Sequence, residues 1–340
     1  ESNEQVDTRF LPKHFTMRAM RALDREDPDL ADMLAYQLGV GVQKLVNRQN
    51  ADGGWGYWPQ EEASPYISAY VLWGLGAAAE MGDTVPQGSM DRAVDYLERQ
   101  FEAPDDVSNW ELNEMAFMHF VLAELGEGDP GRASTLYDVR ERLGHYGKAY
   151  LAMALADMNL EQAQDPRVET LLDDLFGAAQ ASATGASWHE AGIDFQTLNT
   201  DLRSTAIILE AFVRLDPEQP LLANVVRWLM SAREAGRWST TQENAWSIIA
   251  LTDWLAMSGE LEADYEWTVD LNDAALGSGR VTPETVNERT ELRASVAELL
   301  RGEINTLRFE RSNADGRMYY TTGLRYYLDA LAVDARSRGI

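Results

Sequence analysis

The sequence predicts a mainly α fold: an α/α toroid of antiparallel helical hairpins, followed by a small β-sandwich-like segment. Three observations carry this. About eleven consecutive segments up to Met257 place apolar residues at helical spacing, with no strand expected between them. Two of these segments, Asn109–Leu125 and Thr240–Met257, are apolar on more than one side, which calls for an inner layer of helices enclosed by an outer one. Past Met257 the apolar period changes to two. An open array of hairpins would satisfy the same pattern as a closed ring.

The first helix starts in Ser2-Asn3-Glu4-Gln5, which reads as a reciprocal capping box: Ser2 accepts the free amide hydrogen of Gln5 while the Gln5 side chain reaches back. Asp27-Pro28, Asp129-Pro130, Asp165-Pro166 and Asp216-Pro217 are four further helix starts, because Asp caps and Pro loses nothing in the first turn. A helix from about Met33 to Gln49 runs into the glycine and aromatic turn Asn50–Pro59, and Ser64-Pro65 opens the next one. The remaining helices are expected at Gln87–Phe101, Asn109–Leu125, Ala133–Leu143, Tyr146–Met158, Arg167–Ala181, Leu202–Leu215, Glu218–Ala235 and Thr240–Met257.

Strands are expected at Tyr265–Leu271, Asn305–Glu310 and, after the turn Asn313–Gly316, Met318–Thr321. The expected division is a helical domain over 1–260 and a partial β-domain over 261–340.

The formal net charge of −27 argues against nucleic acid and against anionic membrane surfaces as partners. There is no cysteine, so disulfides and thiolate metal sites are excluded. The four histidines, His14, His119, His145 and His189, form no H-x-x-x-H pair, so neither a metal nor a cofactor is expected. No apolar run is long enough to span a bilayer. Because the chain opens inside a motif, its first residue is expected to be an artificial boundary.

Four stretches together resemble the thioester region of the alpha-2-macroglobulin and complement family, and specifically its bacterial members. Glu4 and Gln5 stand where the family's Cys-x-Glu-Gln motif puts them, with Arg9-Phe10-Leu11-Pro12 following. Gln49–Trp58 with Ser68-Ala69-Tyr70-Val71 is similar to the family's glycine-aromatic turn and T-A-Y-V helix. Gly236–Ala245 is similar to its W-x-x-T-Q-x-x-A segment. Gly316–Tyr320 looks like its following β-segment, which belongs to a CUB-type sandwich.

In that family the cysteine thiol, with a pKa of roughly 8.5, displaces the amide nitrogen of the glutamine three residues on. The internal thioester so formed acylates a target once. Here Ser2 occupies the cysteine position, and a serine has no comparable anion near neutral pH. The resemblance therefore implies a chain unable to form the bond. It is either a natural member that has lost the thioester or a deliberate Cys→Ser replacement, and the retention of Glu4 and Gln5 favours the second.

What the resemblance implies is a fragment of a protease trap, not an enzyme. Its partners would be target proteases, reached through the full-length parent, and other macroglobulin domains of the same chain. It would work in the periplasm or at the cell surface. Complement-type relatives carry a histidine before the mid-domain helix that redirects the thioester to hydroxyl targets. The matching Glu102–Trp110 region has none, so amine targets are expected. His119 is expected to be a satisfied core or interface histidine.

Other readings start from the same residues. Terpene-cyclase-like toroids share Q-x-x-D-G-G-W-G but need an acidic cluster that Asp24-Arg25-Glu26-Asp27 matches poorly, and prenyltransferase-like ones need zinc. A carbohydrate-active toroid would use two carboxylates across a cleft, drawn from Glu61, Glu62, Glu111, Glu114, Asp173 and Asp174. Trp55, Tyr57 and Trp58 would then stack on sugar rings; in the thioester reading they form an aromatic shield against water. A plain interaction module without a thioester is the third reading.

Overall fold

Helix starts follow the capping chemistry. In the computed structural model, which describes residues 2–22, 28–159, 165–192, 194–286, 288–320 and 322–324, Ser64 accepts the Ile67 amide hydrogen ahead of Pro65. Asp129 and Asp165 likewise cap helices that open on Pro130 and Pro166. Asp27 lies outside the described residues. Asp216-Pro217 does not start a helix: the Asp216 amide closes the preceding one on Phe212 O, and its carbonyl and carboxylate then hold a turn through Gln219.

The described residues of the first unit, Glu1–Met257, contain eleven α-helices. They are α1 (Asn3–Ala22), α2 (Pro28–Asn47), α3 (Pro65–Glu80), α4 (Gln87–Glu98), α5 (Asn109–Glu124), α6 (Pro130–Asp138), α7 (His145–Met158), α8 (Pro166–Ala178), α9 (Asp201–Leu215), α10 (Leu222–Ser231) and α11 (Thr241–Ser258). Odd-numbered helices form the inner layer. α3, α5, α7 and α9 are buried along nearly their whole length, whereas α4, α6, α8 and α10 bury one stripe each.

The inner helices pack α1 on α3, α3 on α5, α5 on α7 and α7 on α9. α11 completes the circuit, since Thr200 donates to Glu243 on one side and Thr241 and Gln242 donate to Glu4 on the other. Because an outer helix intervenes between successive inner ones, the inner helices share one direction and their N-termini one end. Aromatic rings fill the middle. Trp73 of α3 stacks on Trp246 of α11 at 4.9 Å, and Tyr150 of α7 meets both Phe117 (4.9 Å) and Trp246 (5.5 Å).

One strand pair interrupts the helices, contrary to expectation: β1 (Gln180–Ser182) and β2 (Gly185–Ser187) form a short antiparallel hairpin. Three-residue strands of small residues are too short to register a period. Tertiary contact specifies them instead, for Gly185 lies so close to Trp228 that a Cβ would sit 2.7 Å from its Cβ. Trp188, just beyond, is fully buried and donates to Leu175 O at 2.7 Å. None of the helices among the described residues is long and apolar enough to cross a membrane.

The second unit, Ser258–Ile340, contains β3 (Tyr265–Leu271), β4 (Ala274–Val281) and β5 (Leu307–Arg311) in an antiparallel sheet of order β4-β3-β5. β4 was not expected, because Gly277 and Gly279 dilute its period; Gly279 is needed under the Trp267 indole, 2.9 Å from where a Cβ would stand. Residues 317–320 are not a strand. Side chains anchor them: Tyr320 stacks on Phe309 and Tyr265 donates to Arg317 O. Thr321 lies outside the described residues.

Candidate functional site at the start of the first helix

The start of α1 is buried, so the free backbone amides of its first turn need hydrogen-bond partners. Ser2, Asn3, Glu4 and Asp7 are at most 1% exposed, and Gln5 is half-buried. The Gln5 amide donates to Ser2 Oγ at 3.0 Å and the Ser2 amide donates to Gln5 Oε1 at 3.2 Å. The two side chains therefore close one small ring of bonds, with the Gln5 carboxamide polarised by the amide of residue 2.

The glycine-aromatic turn covers this start from outside. The Asn3 amide donates to Tyr57 O and its side chain to Gly56 O, both at 2.9 Å, and Arg48 reaches Asn3 Oδ1. Gly53 permits the turn, since at φ +96° a Cβ would meet Arg92 O at 2.2 Å. Within the turn the three expected shield aromatics separate. Trp55 is fully buried with its indole donating to Leu45 O, so it faces neither sugar nor target. Tyr57 is half-buried, and Trp58, 48% exposed, stands edge-on against it at 5.5 Å.

The inward face of α1 carries two carboxyls. Glu4 Oε1 accepts from Thr241 Oγ1 at 2.8 Å and Gln242 Nε2 at 3.0 Å. Asp7 is wedged against α3, where the absent Cβ of Gly74 would stand 2.0 Å from Asp7 Oδ1. Burial, and then the neighbouring Glu4, push the Asp7 carboxyl well above its usual range. Thr241 and Gln242 lie in the segment flagged by its T-Q spacing, but no pattern in the sequence assigned them to Glu4. Asp7 carried no signal at all.

Four of the six carboxylates of the carbohydrate reading lie apart from the other two. Glu61 and Glu62 are exposed on the turn, Asp173 is exposed on α8 and Asp174 pairs with Lys148 at 2.8 Å. Glu111 caps α5 through Ser108, whose hydrogen bonds lower its pKa. Glu111 and Glu114 do line one cavity, about 310 Å³, together with Glu102, Trp110, Met115 and Pro65, and burial raises the Glu114 pKa to about 7. His119 is buried against Phe101 with a pKa lowered to about 4 by desolvation, and its Nδ1 has no hydrogen-bond partner among the described residues, so it is a core histidine but not a satisfied one there.

No family model matches the chain. An alpha-2-macroglobulin homolog of Nostoc sp. is 23% identical over 86% of the chain and 15% of its own length. Thioester-containing protein 1 of Anopheles gambiae is 23% identical over 73% of the chain and 19% of its own. The chain thus spans less than a fifth of these relatives. Among solved structures, alpha-2-macroglobulin of Escherichia coli activated by porcine elastase superposes with a TM-score of 0.61 at 19% identity, covering 84% of this chain and 25% of that one. The relatives and the fold are those of the alpha-2-macroglobulin family. A Salmonella alpha-2-macroglobulin reacted with methylamine matches equally well, with a TM-score of 0.61 at 18% identity over 84% of this chain and 18% of that one.

Proposed function

We propose that the chain is the thioester domain, residues 1–260, with a partial CUB-type β-segment, 261–340, of a bacterial alpha-2-macroglobulin-like protease trap, and that Ser2 replaces the thioester cysteine. The supporting observation is the mutual hydrogen bonding of Ser2 and Gln5 at a buried helix start. With sulfur in place of Oγ, the thiolate would attack Gln5 Cδ, the C–N bond would break and ammonia would leave. An amine of the captured protease would later attack the same carbon and expel the thiolate. The Ser2 form lacks the anion and the leaving group, and by itself is neither an enzyme nor a trap.

The other proposed features follow the family. The parent works in the periplasm or at the cell surface, captures proteases covalently after bait cleavage, and takes no cofactor. The Glu102–Trp110 segment offers no histidine to relay the acyl group, so direct attack by amines is expected.

Restoring Ser2→Cys in the full-length parent tests this. The expected result is a mass lower by one ammonia and a bond opened by methylamine. An intact mass with a free thiol would remove the reading.

A further inference from the structure

Arg203, at the start of α9, is 0% exposed, yet among the described residues no carboxylate accepts from it. Buried cations are ordinarily paired. Its guanidinium instead donates to Asn199 Oδ1 (2.9 Å), Tyr66 OH (2.9 Å), Tyr150 OH (3.2 Å) and, through Nε, Gln242 Oε1 (3.2 Å). Tyr66 OH donates to the same Gln242 oxygen at 3.0 Å. With two donors claiming that oxygen, the Gln242 amide cannot turn over, and its Nε2 is committed to Glu4 Oε1. One residue thereby links α3, α7, α9 and α11, and the chain of bonds ends on the residue before Gln5.

We propose that Arg203 is a positioning residue for the Ser2–Gln5 site, acting through Gln242 on Glu4. This rests on the thioester reading above. The cation has no carboxylate of its own because its task is to orient a neutral amide; that amide in turn sets the depth and rotation of the first turn of α1. A glutamate at 242 would pair with Arg203 but oppose Glu4, keeping the core charge satisfied while breaking the link.

The test uses the full-length parent with Ser2→Cys, in which Gln242→Glu should lower the fraction of chains that lose ammonia about tenfold, the scale of one hydrogen bond to a charged group, with little change in Tm. The exchange Glu4→Gln with Gln242→Glu re-creates the link with donor and acceptor reversed and should restore that fraction. In the Ser2 chain, Gln242→Glu should speed hydrogen exchange of the Gln5 amide by a similar factor, and the exchange pair should slow it again. Unchanged ammonia loss and amide exchange in Gln242→Glu, or no recovery in the exchange pair, would overturn the proposal. A parent that keeps its ammonia with Ser2→Cys alone, while the amide exchange behaves as stated, would fail the thioester reading instead.

Discussion

Glu114→Gln should stabilise the protein at alkaline pH and leave it unchanged in acid. Glu114 sits in the cavity beside Trp110 and Met115, and burial, opposed in part by a hydrogen bond from the Tyr66 amide, raises its pKa from 4.5 to about 7. Below pH 4.5 both folded and unfolded chains hold this proton, so the group is neutral in the balance. Between 4.5 and 7 the unfolded chain releases the proton while the folded chain keeps it. Stability then falls with rising pH at up to ~1.4 kcal/mol per pH unit, and the loss is complete above about 7. Over that interval it amounts to ~3 kcal/mol. Glutamine keeps the acceptor for Tyr66 and removes the titration. Urea unfolding of both proteins from pH 4 to pH 8.5 measures the difference, which should be close to zero at the acid end and reach ~2–3 kcal/mol at the other. A difference that does not vary with pH would refute the burial argument.

Three further outcomes are expected. Gly74→Ala should cost ~1–3 kcal/mol by overpacking α1 against α3, and much of that cost should disappear when Asp7, whose oxygen the new methyl strikes, is cut back to alanine; thermal melts of the double-mutant cycle measure it. Trp188→Phe should cost ~1–3 kcal/mol because Leu175 O loses its buried donor, readable by urea unfolding. Asp273→Gly should protect the β3–β4 hairpin in hydrogen exchange by a few tenths of a kcal/mol, since Asn272 and Asp273 both hold positive φ (52° and 65°) in a two-residue turn that favours Asn-Gly; the exposed Arg308–Asp273 pair at 3.6 Å contributes little against this.

The helical layers were legible because burial imprints a period: α5 and α11, apolar on two sides, are inner helices. The capping motif was legible for the same local reason, since Ser2 and Gln5 meet within one turn. What the sequence hid is set by distant contact. The β1–β2 hairpin exists because Gly185 fits on Trp228, and β4 follows a positive-φ turn whose Asn-Asp pair lacks the usual glycine. Glu4 finds Thr241 and Gln242 across 237 and 238 positions of chain, and no local pattern encodes such a meeting. Trp55 was expected to face a sugar or to shield the site with Tyr57 and Trp58, but the glycines beside it let the turn fold inward and bury it.

The identity of residue 2 sets stability against reactivity, and the two can be separated. Serine is among the best helix N-caps, whereas a thiol is a weak acceptor for the Gln5 amide hydrogen. The field at a helix start, up to ~2 kcal/mol when buried, would lower a thiol from roughly 8.5 toward 7, but the same shift leaves a hydroxyl, which ionises only far above the neutral range, wholly neutral. Ser2→Cys opened with methylamine should therefore be less stable than the serine protein by ~1 kcal/mol, measured by urea unfolding of the full-length parent. Were the opened cysteine form as stable as the serine form, Ser2 Oγ would not be the cap that its 3.0 Å bond to the Gln5 amide implies.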